Sequence, residues 1–402
     1  MDCLPSISFF FFNTLSFFFS KTLSFFSSQS EKTKTSRLPN ESSIRQPNCF
    51  QTDVLELILQ RLAFIDIVRF GAVCSTWKTA VDSYISSPTY RPFAQAPWLL
   101  HSCNEPENYW RFFNPTETKF YNVGNCFGFA PKSWITGSLD DGWLLILEET
   151  SNTFLVNQFS RRKIQLPFLN TFITSPKVPD IRYKVVLGKN SSVAAIMICE
   201  GSYCWPKNLA FCKIGDNAWK PTRMENQSYL DIICHNDEIH ALSSTGEVDI
   251  WDFLSPFPTK TTDFGGFSVI PIIVDQWLPF VNIYAEPASI AYLTKSLDEV
   301  LIVEQIMYSD RMQTSGFIVS KLDYKEEKRI PLQNLHGRAI FISPLSAISA
   351  SALDCPELEG NLIYCDPKNY LAVYNLEEQK VKRYEKKLKT SNSEYFWVFP
   401  NP

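Results

Sequence analysis

Near residue 90 the apolar residues of this chain change their period, and that change limits what each side of it can fold into. Before it, Val54, Leu55, Ile58, Leu59 and Leu62 recur at spacings of three and four, the stripe of an amphipathic helix. After it, helical stripes nearly vanish. Short runs of strand formers take over, separated by turn residues. The chain therefore reads as a small all-α module over 48–90, followed by a much larger all-β domain over 95–400. Its 402 residues suffice for one domain of each size.

The helical stretch carries its own punctuation. Thr52 or Asp53 can cap the first helix, and Glu56 lies three residues after Asp53, as a capping box requires. Asp66 is a second candidate N-cap, ahead of Ile67, Val68, Phe70, Ala72 and Val73. Trp77, Ala80 and Val81 extend the pattern, Gly71 marks a boundary between short helices, and Pro88 closes the region. Forty residues bury too little surface to be very stable alone, and the module has more apolar positions than a three-helix core can hide. It reads either as a bundle that lends apolar residues to a partner's groove or as the helical cap of a larger domain.

The strand runs include Trp143–Leu147, Thr153–Val156, Tyr183–Leu187, Val193–Ile198, Glu238–Leu242, Val300–Val303, Phe317–Leu322 and Leu371–Tyr374. Beneath them lies a degenerate repeat: a strand, a polar turn, a basic residue. It occurs at Phe112–Lys119, Leu155–Lys163, Phe211–Trp219, Val319–Lys328 and Val373–Val381, with a shorter relative at Val248–Asp252. Each copy reads as the last hairpin of a four-stranded unit. Their separation predicts a β-propeller of about six blades, with a β-sandwich as the competing arrangement.

Two resemblances sharpen this. Asp53-Val54-Leu55, Ile58-Leu59-Gln60-Arg61-Leu62, Asp66-Ile67-Val68-Arg69-Phe70 and Val73-Cys74-Ser75-Thr76-Trp77-Lys78 stand at the offsets of an F-box. The segment 48–90 resembles that domain, which docks proteins onto the Skp1-type adaptor of cullin ubiquitin ligases. The resemblance implies adaptor contacts from Phe50, Val54, Leu55, Ile58, Leu59, Leu62 and Ile65, with Val73 and Trp77 as internal core. The Leu-Pro that opens the F-box pattern is Phe50-Gln51 here, a change expected to weaken docking without abolishing the fold. Farther on, Phe113-Asn114-Pro115, Ser138-Leu139-Asp140-Asp141-Gly142-Trp143-Leu144, Ala241-Leu242 with Gly246, and Asn361-Leu362-Ile363-Tyr364 resemble the propeller-like domain of plant F-box proteins of the KIB type. Those proteins tend to have Cys where this chain has Leu362.

Composition restricts the function. A net charge of −4 and a pI near 5.7 give no reason to expect nucleic acid as the partner, since a domain that binds it usually shows a strongly basic face. Eleven Cys, at 3, 49, 74, 103, 126, 199, 204, 212, 234, 355 and 365, form no CxxC pair and read as free thiols in a reducing compartment. Residues 1–47 start with a Phe/Ser-rich stretch that has nine Phe between Phe9 and Phe26, too broken by Ser and Lys21 for a membrane span or a secretory signal. They are expected to be disordered and outside the fold: a spurious leader from a start site placed too early, or an organellar transit segment.

Candidate chemistry is sparse. Cys234, His235 and His240, with Cys199, Cys204 and Cys212 nearby, invite a metal reading, but their spacing is not that of structural zinc. Asp140-Asp141 could be paired carboxylates, though a turn into the Trp143 strand explains them better. Tyr324–Arg329 reads as a solvated hairpin tip, and Cys355 and Cys365 have no His near them in sequence. No nucleotide, zinc-protease or hydrolase motif occurs.

The expectation is therefore a non-enzymatic substrate-recognition subunit of an SCF-type ligase, without cofactor. It would partner a Skp1-type adaptor and, through it, a cullin and a RING protein, and hold an unidentified protein target, in the nucleus or cytoplasm and away from membranes and nucleic acid. Candidate target loops are 199–208 and 255–290, the second rich in aromatics including Phe257, Phe264, Phe267, Trp277 and Phe280. The alternative is an F-box-derived binding or scaffold protein that recruits no ligase, organellar if the leader is genuine.

Overall fold

A computed structural model describes residues 52–87, 90, 95–101, 109–124, 133–138, 142–148, 151–157, 159, 162–169, 181–188, 192–200, 205–222, 229–253, 255–267, 287–308, 313–344, 346–365, 371–384 and 395–400. The chain divides into two compact units, Met1–Phe93 and Ala94–Pro402. The expected leader and the Asp140-Asp141 pair lie outside the described residues.

The first unit has three short helices: α1 (Thr52–Leu59), α2 (Phe64–Gly71) and α3 (Ser75–Ser86). Leu55, Leu59, Ile67, Phe70, Ala80, Val81 and Tyr84 close its core. The stacked rings of Phe70 and Trp77, 4.0 Å apart, cover one side. Two local expectations are corrected. Asp66 is not the N-cap of α2. Extended Ala63 holds that place with no side-chain cap, and Asp66 sits in the first turn, where it accepts a hydrogen bond from Arg69 at 2.9 Å. Thr52 and Asp53 are likewise already inside α1.

The second unit is a ring of six sheets. The first joins β1 (Trp98–His101), β2 (Tyr109–Asn114) and β3 (Lys119–Gly124) to the last strand described, β25 (Tyr395–Val398). The second is a meander of β4 (Ser133–Ser138), β5 (Trp143–Glu148), β6 (Thr153–Asn157) and β7 (Arg162–Leu166). The third has β8 (Ile181–Gly188), β9 (Val193–Glu200), β10 (Trp205–Lys213) and β11 (Lys220–Pro221). The fourth has β12 (Tyr229–His235), β13 (Glu238–Ser243), β14 (Glu247–Trp251) and β15 (Lys260–Asp263). The fifth has β16 (Pro287–Ser296), β17 (Glu299–Tyr308), β18 (Gln313–Asp323) and β19 (Lys328–Leu332).

The sixth sheet differs. It has five strands in the order β21 (Ser346–Ser351), β20 (Arg338–Ser343), β22 (Leu362–Cys365), β23 (Leu371–Asn375), β24 (Lys380–Tyr384). Strands β20 and β22 run parallel, so the chain must cross back between them. It does so through a connection anchored by buried Cys355 and Leu358. The innermost strand, β21, is Ser-Ala-Ile-Ser-Ala-Ser, and its small side chains suit a crowded place against β16, where Ser349 Oγ meets Ser296 Oγ at 2.7 Å.

The architecture is a six-bladed propeller. Strands β25, β4, β8, β12, β16 and β21 begin their sheets in turn, and each of the first five touches the next. Strand β20 returns the contact to β25. The core lies between the blades. Apolar clusters unite the second and third sheets around Leu145 and Ile196, the third and fourth around Met197 and Trp251, and the fourth and fifth around Val248 and Ile302. Others unite the fifth and sixth around Val303 and Ile340, and the sixth and first around Phe341 and Trp397. Each seam is thus two sheet faces packed together.

The sequence repeat falls on the outer hairpin of each blade, and three copies share one device. Asn114, Asp323 and Asn375 each accept backbone N–H bonds from two and three residues on. Four residues after each, Thr118, Glu327 and Gln379 turn the chain at positive φ, and a Lys starts the next strand.

Candidate functional site

The helical unit leaves apolar side chains in water. Val54, Leu57, Val68 and Val73 are 39 %, 61 %, 48 % and 48 % exposed. Val54 and Leu57 are three residues apart on α1 and so share a face, which half-buried Ile58 adjoins. Of the expected adaptor contacts, Val54 is exposed, and Ile58, Leu62 and Ile65 are half-buried. Leu55 and Leu59 point into the unit's own core, and Phe50 lies outside the described residues. Val73, expected as core, faces solvent, whereas Trp77 is half-buried on Phe70. Sequence reasoning missed Leu57 and Val68 because a motif marks which residues recur and not which way each one points. A groove of ≈ 340 Å³ between α1 and α3 is lined by Leu55, Ser75, Thr76, Thr79, Ala80 and Ser83.

In the propeller, the described polar chemistry is built into the seams. Lys184 on β8 and Asp231 on β12 form a buried ion pair at 2.5 Å. The same carboxylate accepts the N–H of Ile232 and, from β16, that of Leu293, both at 2.8 Å. One side chain therefore ties together the inner strands of three blades. Burial pushes the Asp231 carboxyl up, and the Lys184 ammonium and the two amides oppose that shift. Asp249 is likewise saturated: Tyr229 donates to it across the sheet at 2.6 Å, over Ala241 on the strand between, and Thr261 donates to its other oxygen. Arg329 meets buried Glu304 at 3.2 Å with its guanidinium over Phe267, and Arg338 reaches Glu299 at 2.8 Å.

Cys234, His235 and His240 are only partly brought together. The two imidazoles meet edge to face at 5.4 Å, while Cys234 Sγ lies under Gly188 on the third sheet. Among the described residues no group of three or more His, Cys, Asp or Glu could hold a metal ion. Burial pushes the Cys355 thiol up to about 12, with Glu357 and Asp354 adding to it, so Cys355 stays a protonated, unreactive core residue. The Tyr324–Arg329 hairpin is solvated only at its tip: residues 325–328 are exposed, but Tyr324 and Arg329 fold inward.

Of the candidate target loops, 201–204 and 268–286 lie outside the described residues, Trp277 and Phe280 with them. In the part described, Phe264 belongs to the core, as does Trp251 just ahead of the loop on β14, and Phe257 is 50 % exposed. The signal that would have found the inter-blade ties is a lone charge inside an apolar strand run, Lys184 between Tyr183 and Val185 or Asp231 beside Ile232 and Ile233.

Comparison with known proteins agrees with this geometry. A family model described as the KIB1-4 beta-propeller matches residues 112–378, and the F-box domain model matches 36–86. F-box protein At1g69090 of Arabidopsis thaliana is 24 % identical over 85 % of this chain and 88 % of its own length. F-box protein KIB3 and F-box/kelch-repeat protein KIB1, from the same plant, are each 24 % identical over 72 % of this chain and over 65 % and 71 % of their own. The solved WD40 domain of Neurospora crassa Pan2 is 12 % identical over 76 % of this chain and 80 % of its own, with a TM-score of 0.32, too loose a superposition to bear on the fold.

Proposed function

Because the chain belongs to the KIB1-4 β-propeller family of plant F-box proteins, we propose that it is the substrate-recognition subunit of an SCF-type cullin E3 ubiquitin ligase. An F-box generally serves as the substrate-adaptor module of such ligases. Here the observation that carries the reading is the apolar surface on the helical unit. Val54, Leu57, Val68 and Val73 are left in water by a unit whose core is already closed by other residues. A Skp1-type adaptor would cover them and link the chain to a cullin and a RING protein. Ubiquitin transfer would occur on those other subunits. This chain would contribute proximity, holding a target lysine near the charged conjugating enzyme.

The propeller would hold the target, a protein of unknown identity, and no cofactor is needed for that role. Ionisable groups buried within its seams, among them Lys184, Asp231 and Asp249, are engaged in tying strands together, which suits a rigid recognition platform. The work would take place in the nucleus or cytoplasm.

The test is capture of the full chain by a purified Skp1-type adaptor, beside a Leu57→Asp, Val68→Asp variant. Both side chains are exposed, so the variant keeps its fold. Capture by wild type and a loss of at least about tenfold in the variant are the expected outcomes, since each buried charge costs more than the ~1.4 kcal/mol that a tenfold change represents. Folded wild type that is not captured would instead favour a scaffold protein that recruits no ligase.

A further inference from the structure

His235 ends β12 and His240 lies on β13, paired with Ile233 across the hairpin. Their side chains are enclosed, with the two residues 8 % and 3 % exposed. A neutral imidazole offers one donor and one acceptor nitrogen. His240 Nδ1 shares a 2.7 Å hydrogen bond with the Tyr324 hydroxyl of the fifth sheet, and its Nε2 has no partner. His235 Nε2 meets the Asn236 amide at 3.1 Å, and its Nδ1 has no partner. Two buried rings thus face each other with one unsatisfied nitrogen apiece, at a contact between two blades.

We propose that this pair is an acid-sensitive latch on the seam between the fourth and fifth blades. A proton taken up there parts the β12–β13 hairpin from the β18–β19 hairpin before the rest of the ring gives way. A second proton on either ring creates a buried cation: at His235 the added N–H has no acceptor, and at His240 a hydrogen bond with the His235 backbone offsets the cost only in part. The surroundings do not welcome it. Lys295 repels a cation at His235, and Asp298 attracts it only in part. The other groups close by are the rings of His235 and Tyr324 against His240, Glu238 near Tyr324, Asp237 in the turn, and Cys234 on the same strand. Phe264 packs edge-on against Tyr324 at 5.2 Å, so the seam beside the latch is apolar. Farther along, the exposed Lys260–Glu327 pair is a charged tie between the two sheets, and water screens it.

Burial, with His235 adding to it, pushes the His240 imidazole down to about 4, and burial pushes His235 down as well. A depressed histidine stabilises the folded seam fully above the unfolded value of about 6.5, and that contribution is lost as pH falls toward the folded value. Opening of the hairpin should therefore become about fortyfold more favourable between pH 6.5 and 4.5 for His240 alone.

Two measurements on the full chain test this. Deuterium exchange at histidine C2, followed against pH, titrates His235 and His240 separately by peptide. Backbone amide exchange, corrected for intrinsic rate, reports opening of 229–243 and 313–332. The expected result is a His240 midpoint about two and a half pH units below that of the denatured chain, with acid-induced loss of protection confined to those two hairpins. A His235→Gln, His240→Gln variant should lack that loss, and Tyr324→Phe, which retains both imidazoles, should keep it. Titration of both histidines at the denatured value, equal loss of protection in all six sheets, or an undiminished acid response in the double variant would overturn the proposal. If the double variant does not fold, the wild-type titration and the Tyr324→Phe response decide.

Discussion

Lys184 and Asp231 meet across the seam between the third and fourth blades, with 6 % and 1 % of their side chains exposed. Taking either charge out of water is costly, and only the partner offsets it. Lys184→Met leaves a buried carboxylate without its cation and should cost about 3–5 kcal/mol. Adding Asp231→Leu removes the charge but orphans the Leu293 and Ile232 amides, at about 1–3 kcal/mol each. The double variant should thus recover only part of the loss. Midpoints of chemical denaturation, arranged as a double-mutant cycle, measure this. Full recovery would mean that the two amide bonds contribute nothing.

Gly246 and Gly215 separate two reasons for glycine. Both sit at positive φ, +97° and +96°. At Gly215 a Cβ would meet nothing within 4 Å, whereas at Gly246 it would lie 2.2 Å from the Gly265 carbonyl oxygen. Gly215→Ala should cost about 1–2 kcal/mol, the left-handed backbone penalty alone. Gly246→Ala should cost about 1–3 kcal/mol more, because backbone must shift to admit the methyl. Equal losses in the same denaturation assay would show that the turn around Gly265 yields freely.

What the sequence disclosed follows from what is local. The helix stripe of Val54 to Leu62 and the polar turns of the repeat, which Asn114, Asp323 and Asn375 close by side-chain hydrogen bonds, act within a few residues, and the stripe and the turns could be read directly. Six copies of the outer hairpin led to six blades because each copy closes on itself. The parallel pairing of β20 with β22 could not be read, since it depends on a connection whose length and burial leave no periodic trace. Nor could the pairing of β25 with β1, at opposite ends of the domain. On the candidate docking surface, the apolar positions were legible but their directions were not. The spacing puts Leu59 on the stripe and Leu57 off it, but it does not tell that Val54, on the same stripe, stays exposed while Leu55 and Leu59 pack against α3.

That difference can be measured. Leu59 is fully buried, and Leu59→Ala should cost about 2–5 kcal/mol, enough to unfold a unit of this size. Leu57→Ala, at 61 % exposure, should change stability by less than about 0.5 kcal/mol. Amide exchange over 52–87 should therefore collapse for the first and hold for the second. Adaptor capture should fall in both, through loss of structure in one and of contact surface in the other. Normal capture by Leu57→Ala would move the docking surface away from that face of α1.

Trp397 closes the ring. It is fully buried on β25, its indole N–H donates to the Ile342 carbonyl oxygen at 3.1 Å, and its ring packs on Phe341 and Tyr364 of the sixth blade. Strand β25 meanwhile pairs with β1 from Trp98 to His101, so one side chain and one strand join the last blade to the first. Trp397→Ala should cost about 3–5 kcal/mol, combining lost burial with a cavity at the closure. Trp397→Phe keeps much of the packing and should cost less, with the Ile342 carbonyl left without its donor at about 1–3 kcal/mol. Because the contact is a closure, weakened amide protection should appear first in β1, β25 and β20, while β8 and β9 in the third blade keep theirs until global unfolding. Uniform loss around the ring would mean that the six blades open as one cooperative unit, and that the closure carries no more of the stability than any other seam.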